Sequence, residues 1–273
     1  MLTNQTAARG HKLAAIDLDG TLLGPDHTIS PANVQAVQRL QAAGIEVVLA
    51  SGRHQGTMVA FARALPGVRW IVSVQGAQVA DVEGTRVLHQ SFLDPVAARQ
   101  VLDLGHEMGF PALVYSTEGI ATDSDLGVES YFKHIGHRPA WISTEQFLAT
   151  RTFKIVWVGE PERLATLAQE PRVAAMPAEK LRSHRHLFEF VQPGVSKATG
   201  LAALAAQLGI RREETMGFGD ADNDVPMFDW VRTSVAMAHG WPEARARATL
   251  VTSAGPVEEA FARGVDAVLA AAQ

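Results

Sequence analysis

The chain has 273 residues, 47% hydrophobic and 19% charged, with a net charge of −5 and no cysteine. This composition belongs to a globular chain with a real core and excludes a strongly basic surface, so neither nucleic acid nor a membrane is an expected partner. The absence of cysteine excludes disulfides, thiolate metal sites and cysteine nucleophiles, and it fits a reducing cytoplasm, the expected location. The length holds one large or two modest domains.

Residues 1–12 are polar, lack the apolar run of a signal peptide and read as a frayed terminus. No uncharged apolar run reaches the roughly 18 residues that a membrane helix needs. Residues 13–16 read as a short strand buried on both faces, the kind found in parallel sheets. This strand leads into Asp17-Leu18-Asp19-Gly20-Thr21. Ligands of open α/β sheets bind at the carboxyl ends of strands, which is where Asp17 falls. Two carboxylates this close repel unless a cation lies between them or one takes a proton. A hard divalent cation with oxygen ligands, Mg²⁺ above all, fits best. The plainer alternative is a pair of aspartates decorating a loop; the apolar lead-in and the Gly-Thr exit favour the cation.

Ser30-Pro31 has the form of a helix start, and Gly44 that of a helix end. Residues 45–50 form a second buried strand, so strand, helix and strand make a βαβ unit with parallel strands. It ends in Ser51-Gly52-Arg53, beside Asp17 at the same sheet edge. A third strand near 70–74 ends at Gln75-Gly76-Ala77, and 78–92 reads as a hairpin turning at Glu83-Gly84. The pattern then changes. A helix from Asp94-Pro95 to Met108, strands at 112–116, 119–122, 153–158 and 187–191, a helix at 162–169 and a polar stretch through Trp141 suit an α+β insertion. The α/β grammar resumes with a helix opening at Lys197 and capped by Gly209. A strand at 215–219 follows, running into Asp220-Ala221-Asp222-Asn223-Asp224, with further strands at 233–237 and 250–252.

Asp17 with Asp19, Ser51, Lys197 and the Asp220–Asp224 cluster therefore stand at strand ends or helix starts. In this order and with these flanks they resemble the four motifs of the haloacid dehalogenase superfamily. The insertion between the second and third motifs, and the form Gly219-Asp220-x-x-Asn223-Asp224, are similar to the Cof-type group with a C2B cap. The resemblance implies a Rossmann-like parallel α/β core at 1–82 and 190–273, with an inserted α+β cap at 83–189. It implies a Mg²⁺-dependent phosphomonoester hydrolase, working on a small phosphorylated metabolite, a sugar phosphate first, through an aspartyl-phosphate. Asp17 is then the nucleophile and Asp19 the general acid and base. The metal is held by Asp17, the backbone carbonyl of Asp19, and Asp220. Ser51, Gly52, Arg53 and Asn223 face the substrate, Lys197 supplies fixed positive charge, and Asp224 supports it from behind. A phosphomutase with the same motifs and a non-catalytic phosphate-binding module are the alternatives, and either a monomer or a homodimer is compatible.

Taken singly, Ser51 reads first as a loop hydroxyl or N-cap and Lys197 as a solvated first-turn lysine, and the aspartates can also form an acidic turn with a capping role. Arg53 reads as structural or as a remote phosphate contact. Gln75 stands where relatives commonly carry asparagine. His239 reads as a surface histidine at a helix start, and the tract from Arg182 to His186 as a solvated loop or polar strand face.

Overall fold

The computed structural model describes residues 10–125, 128–135, 137–143, 146 and 149–270. The chain divides into two compact units, Met1–His89 with Ser196–Gln273, and Gln90–Val195. The chain crosses between them several residues later at each end than the expected boundaries at 82/83 and 189/190.

The first unit begins with β1 (Leu13–Ile16), α1 (Pro31–Ala42), β2 (Glu46–Ala50), α2 (Gln55–Arg63), β3 (Trp70–Ser73), β4 (Gln78–Asp81) and β5 (Val87–Gln90). The inserted unit carries α3 (Pro95–Glu107), β6 (Ala112–Ser116), β7 (Gly119–Thr122), α4 (Val128–Ile135), β8 (Ala140–Trp141) and β9 (Thr152–Val158). It continues with α5 (Pro161–Ala165), α6 (Pro171–Ala174), β10 (Glu179–His184) and β11 (Leu187–Val191). The first unit then resumes with α7 (Lys197–Leu208), β12 (Thr215–Gly219), α8 (Val225–Trp230), β13 (Thr233–Ala236), α9 (Pro242–Arg247), β14 (Leu250–Val251) and α10 (Ala260–Ala270).

In the first unit the strand order is β14-β13-β12-β1-β2-β3-β4-β5. All neighbours from β14 to β3 are parallel, and β4 turns antiparallel to β3. Every side chain of β1 is fully buried because both faces of the sheet are covered. Ala14 and Ile16 point into a layer with Leu40, Met58, Phe261 and Val265. Leu13 and Ala15 point into the opposite layer with Leu201, Leu204, Met227 and Phe228. From β1 the chain winds one way through β2 and β3. After the insertion it returns to the other side of β1 through β12. The carboxyl ends of β1 and β12 therefore flank a topological switch point, the place where such sheets open a crevice.

The local signals hold where they were strongest. Ser30 caps α1 by accepting from the Asn33 N–H at 3.2 Å, with Pro31 at the first helical position. Gly209 ends α7 in the left-handed conformation (φ 66°). Two readings are corrected and one helix is added. The helix expected over 162–169 breaks at Thr166, leaving α5 and a separate 3₁₀ turn at Leu167–Gln169. Pro171, which keeps Glu170 extended, ends that 3₁₀ turn. The helix α2 after Arg53 was not foreseen; His54 caps it by accepting from the Gly56 N–H at 3.1 Å. Of the terminal segment read as frayed, residues 1–9 lie outside the described residues, whereas Lys12 is anchored. Its N–H donates to the Glu214 carbonyl at 2.6 Å, and its ammonium reaches the Glu214 carboxylate at 2.8 Å.

Asn33 joins the two ends of this unit. Fully buried, it donates from Nδ2 to the Leu22 carbonyl at 2.8 Å and accepts the Ala262 N–H at Oδ1, 3.1 Å. Asn33→Ala leaves both buried partners unpaired and is expected to cost about 1–3 kcal/mol. Denaturant unfolding should show a lower midpoint; a midpoint unchanged from the parent would mean that the two groups find other partners.

In the inserted unit, strand order is β10-β11-β9-β6-β7-β8, antiparallel except for the β7–β8 pair. Leu102, Val114, Trp157 and Phe190 lie in the core between α3 and the sheet. Lys154 and Glu189, both buried, pair at 2.7 Å across β9 and β11, and Ser183 also donates to Glu189. The tract from Arg182 to His186 falls on the end of β10 and its turn, the polar strand face of the earlier reading. The polar stretch before β8 lies partly outside the described residues.

Candidate active site

The backbone brings the first acidic pair to the switch point. Asp17 follows β1 directly, and its N–H donates to the Phe218 carbonyl of β12 at 3.0 Å. Gly20 turns the chain with φ 81°, and a Cβ there would lie 2.5 Å from Oδ2 of Asp220. Only glycine lets the loop after β1 pass so close to the loop after β12. Thr21 completes the junction by donating to Oδ1 of Asp220 at 3.1 Å.

Asp17, Asp220 and Asp224 are buried, and each offers one carboxylate oxygen within 4.8 Å of the others. Lys197, fully buried at the first position of α7, donates to Oδ1 of Asp17 and, at 2.6 Å, to Oδ1 of Asp224. Oδ2 of Asp224 accepts the N–H groups of Asp220 at 2.9 Å and Ala221 at 3.1 Å. Asp224 is thus fully occupied in holding its own loop and the lysine. Asp17 accepts from Lys197, and Asp220 from Thr21, through one oxygen each.

The electrostatics follow from this crowding. Burial, reinforced by the carboxylates of Asp224 and Asp19 and only partly offset by Lys197, pushes Asp17 up to about 7. Burial and the neighbouring Asp17 and Asp224 hold Asp220 well above the usual carboxylate range. Burial alone would lower Lys197, but Asp17 and Asp224 outweigh it and raise it. Three carboxylates facing one ammonium leave an excess of negative charge in a buried cluster. Such an all-oxygen donor set fits a hard divalent cation.

Asp19 points differently. Its carboxylate receives both Nε (2.7 Å) and Nη2 (2.6 Å) of Arg53, with His27 Nδ1 at 3.7 Å. Burial works against its ionisation, yet the bonds from Arg53 and His27 hold it far below the usual carboxylate range. The carboxylate cluster itself is therefore Asp17, Asp220 and Asp224, with the Asp19 side chain at its rim.

Ser51 is buried at the end of β2, and its Oγ accepts the Arg53 N–H at 3.2 Å, so its own proton is free to point outward. Gly52 lies under the Gln75 amide, and Asn223 donates from Nδ2 to Oε1 of Gln75 at 3.1 Å. His239 is exposed, in a turn ahead of α9 rather than at its start, and its Nε2 meets the Gly20 carbonyl at 2.8 Å. Sequence reasoning missed Thr21, His27 and the bridging role of Gln75. Thr21 was legible within the Gly-Thr exit; His27 carries no signal at all.

The structure thus defines a doubly wound α/β protein with an acidic, lysine-braced pocket at its switch point. The model of the haloacid dehalogenase-like hydrolases matches residues 14–257, and the chain belongs to that family, in its Cof-type branch, as a phosphatase. The HMP-PP phosphatase of Enterobacter sp. (strain 638) is 30% identical over 85% of this chain and 86% of its own length. Among solved structures, a haloacid dehalogenase-like hydrolase from B. subtilis is 27% identical, with a TM-score of 0.82 over 93% of this chain and 99% of that one. The HAD subclass IIB sugar phosphatase BT4131 shares the fold at 19% identity, with a TM-score of 0.83 over 94% and 98%.

Proposed function

We propose that the chain hydrolyses the phosphomonoester of a small metabolite, a sugar phosphate first, with Mg²⁺ as cofactor and an aspartyl-phosphate as intermediate. The observation that carries this is the convergence of Asp17, Asp220, Asp224 and Lys197 in one buried cluster. The named relatives, an HMP-PP phosphatase and a sugar phosphatase, support the small-metabolite class.

Asp17 and Asp220 would hold the cation, with the Asp19 backbone carbonyl as a third ligand. Held there, a cation would neutralise charge on the carboxylates and on the phosphoryl oxygens. The Asp17 carboxylate attacks phosphorus as the bond to the leaving oxygen breaks. Asp19 gives that oxygen a proton, then takes one from the water that attacks the aspartyl-phosphate and frees Asp17. Ser51 donates its hydroxyl proton to a phosphoryl oxygen, and Lys197 offsets negative charge in the transition state. While Arg53 grips both oxygens of Asp19 that carboxylate stays ionised, so proton delivery requires the guanidinium to let go. Phosphoryl oxygens compete for the same bidentate donor.

The test is phosphate release across a panel of phosphorylated metabolites with Mg²⁺ present. Turnover should stop on chelation and return when Mg²⁺ is restored. Turnover that persists in chelator would remove charge neutralisation from the mechanism, and an isomeric product without free phosphate would make the chain a mutase.

A further inference from the structure

Two consecutive non-glycine residues after β3, Val74 (φ 51°) and Gln75 (φ 60°), adopt the left-handed backbone conformation. For a β-branched valine this is a genuine outlier, and backbone strain of this kind is unfavourable. It persists only where surrounding bonds impose it. Here the Val74 N–H donates to the Arg53 carbonyl at 2.9 Å, and the Gln75 N–H to the Ser51 carbonyl at 3.1 Å. The turn folds Gln75 back over the loop that follows β2. Its side-chain amide lies where a Cβ on Gly52 would otherwise stand, and its Oε1 accepts from Asn223 at 3.1 Å. Gln75 is buried.

One side chain therefore touches two loops that rise from strands on opposite sides of β1. The Ser51–Gly52 loop belongs to β2, and the Asn223 loop follows β12. Among the described contacts, the Gln75 amide bridges these two arms directly. We propose that Gln75 is a positioning residue, which fixes the separation of Ser51–Gly52 and Asn223 and thereby the width of the phosphoryl subsite between them. This rests on the phosphatase reading above, and the strained turn is what delivers the amide to both arms. Asparagine is one methylene shorter, so from the same backbone it cannot rest on Gly52 and reach Asn223 at once.

The experiment compares Gln75→Met, which keeps length and bulk but removes the acceptor, with Gln75→Asn, Asn223→Ala and the Gln75→Met/Asn223→Ala double variant. KM and kcat are measured with p-nitrophenyl phosphate, and binding of inorganic phosphate by calorimetry. Gln75→Met should raise KM and the phosphate Kd roughly 3- to 10-fold, the size of one lost hydrogen bond, with a smaller change in kcat. Gln75→Asn should not rescue it. The double variant should be no worse than Asn223→Ala alone, because Gln75 acts through Asn223. Effects that multiply in the double variant, or KM and Kd within twofold of the parent, would overturn the assignment. Should the parent neither turn over nor bind phosphate, the phosphatase reading fails instead. The Asn223 side-chain amide signals in the NMR spectrum still report on the bridge: they shift in Gln75→Met if it exists, and unshifted signals refute it.

Discussion

Asp17→Asn should abolish phosphate release while leaving the protein folded. The carboxamide keeps an oxygen for Lys197, so the buried ammonium is not stranded, and it removes one of three crowded carboxylates. What disappears is the proposed nucleophile, and the other carboxylates nearby have other tasks: Asp19 lies at the rim as the proposed acid and base, and Asp224 is spent on Lys197 and two backbone N–H groups. We expect a loss of about 1,000-fold or more in kcat, roughly 4 kcal/mol of barrier. Steady-state release with an aryl phosphate, beside circular dichroism of the same sample, gives the answer. Retained turnover in a folded variant would strip Asp17 of its role.

Lys197→Met should act on both activity and stability, and the second effect carries a pH signature. Removing the ammonium leaves Asp17 and Asp224 buried without their partner. Breaking a buried pair in this way costs about 3–5 kcal/mol when the remaining charge cannot be relieved. Relief is available through protonation. Burial already raises Asp17 to about 7 in the folded state against 3.8 in an unfolded chain, and loss of Lys197 moves it further up. An acid with a raised folded pKa binds more protons folded than unfolded, so the stability it contributes is present at low pH and lost as pH climbs. The variant should therefore be much less stable than the parent at pH 8 and closer to it at pH 5. Unfolding in denaturant without divalent cation at the two pH values measures this. An equal deficit at both would mean that the lysine braces the loop by packing rather than by charge.

Much of the architecture could be read from the chain because the first unit's strands obey a simple rule. Residues 13–16 and 47–50 are uninterrupted apolar runs, as strands buried on both faces must be, and each ends at a polar residue with a job. Helix caps at Ser30-Pro31 and Gly209 were legible for the same reason: one side chain or one conformation decides them. The helix over 162–169 was not, since its apolar spacing continues past Thr166 and no residue type there marks the break. In the site, the acidic pairs and Lys197 announce themselves through their flanks. The grip of Arg53 on Asp19 does not. It depends on how far a flexible guanidinium reaches across 34 residues of sequence, which no local pattern encodes. Gln75 was visible only as a departure from a familiar asparagine, and its strained backbone has no signature in residue type.

The central strand has a neighbour that arrives very late. Leu13 pairs with Glu46 on one side but with Thr215 on the other. As the chain leaves the ribosome, β1 can join β2 and β3 early, yet its other edge stays open until some two hundred further residues have been made. The intervening segment holds a sheet of its own, built mostly from antiparallel pairs. Assembly of the nascent enzyme thus runs out of order: the middle can mature first, while an apolar, unzipped strand waits. Such an edge is a natural client for a chaperone and a natural seed for aggregation when synthesis outpaces folding.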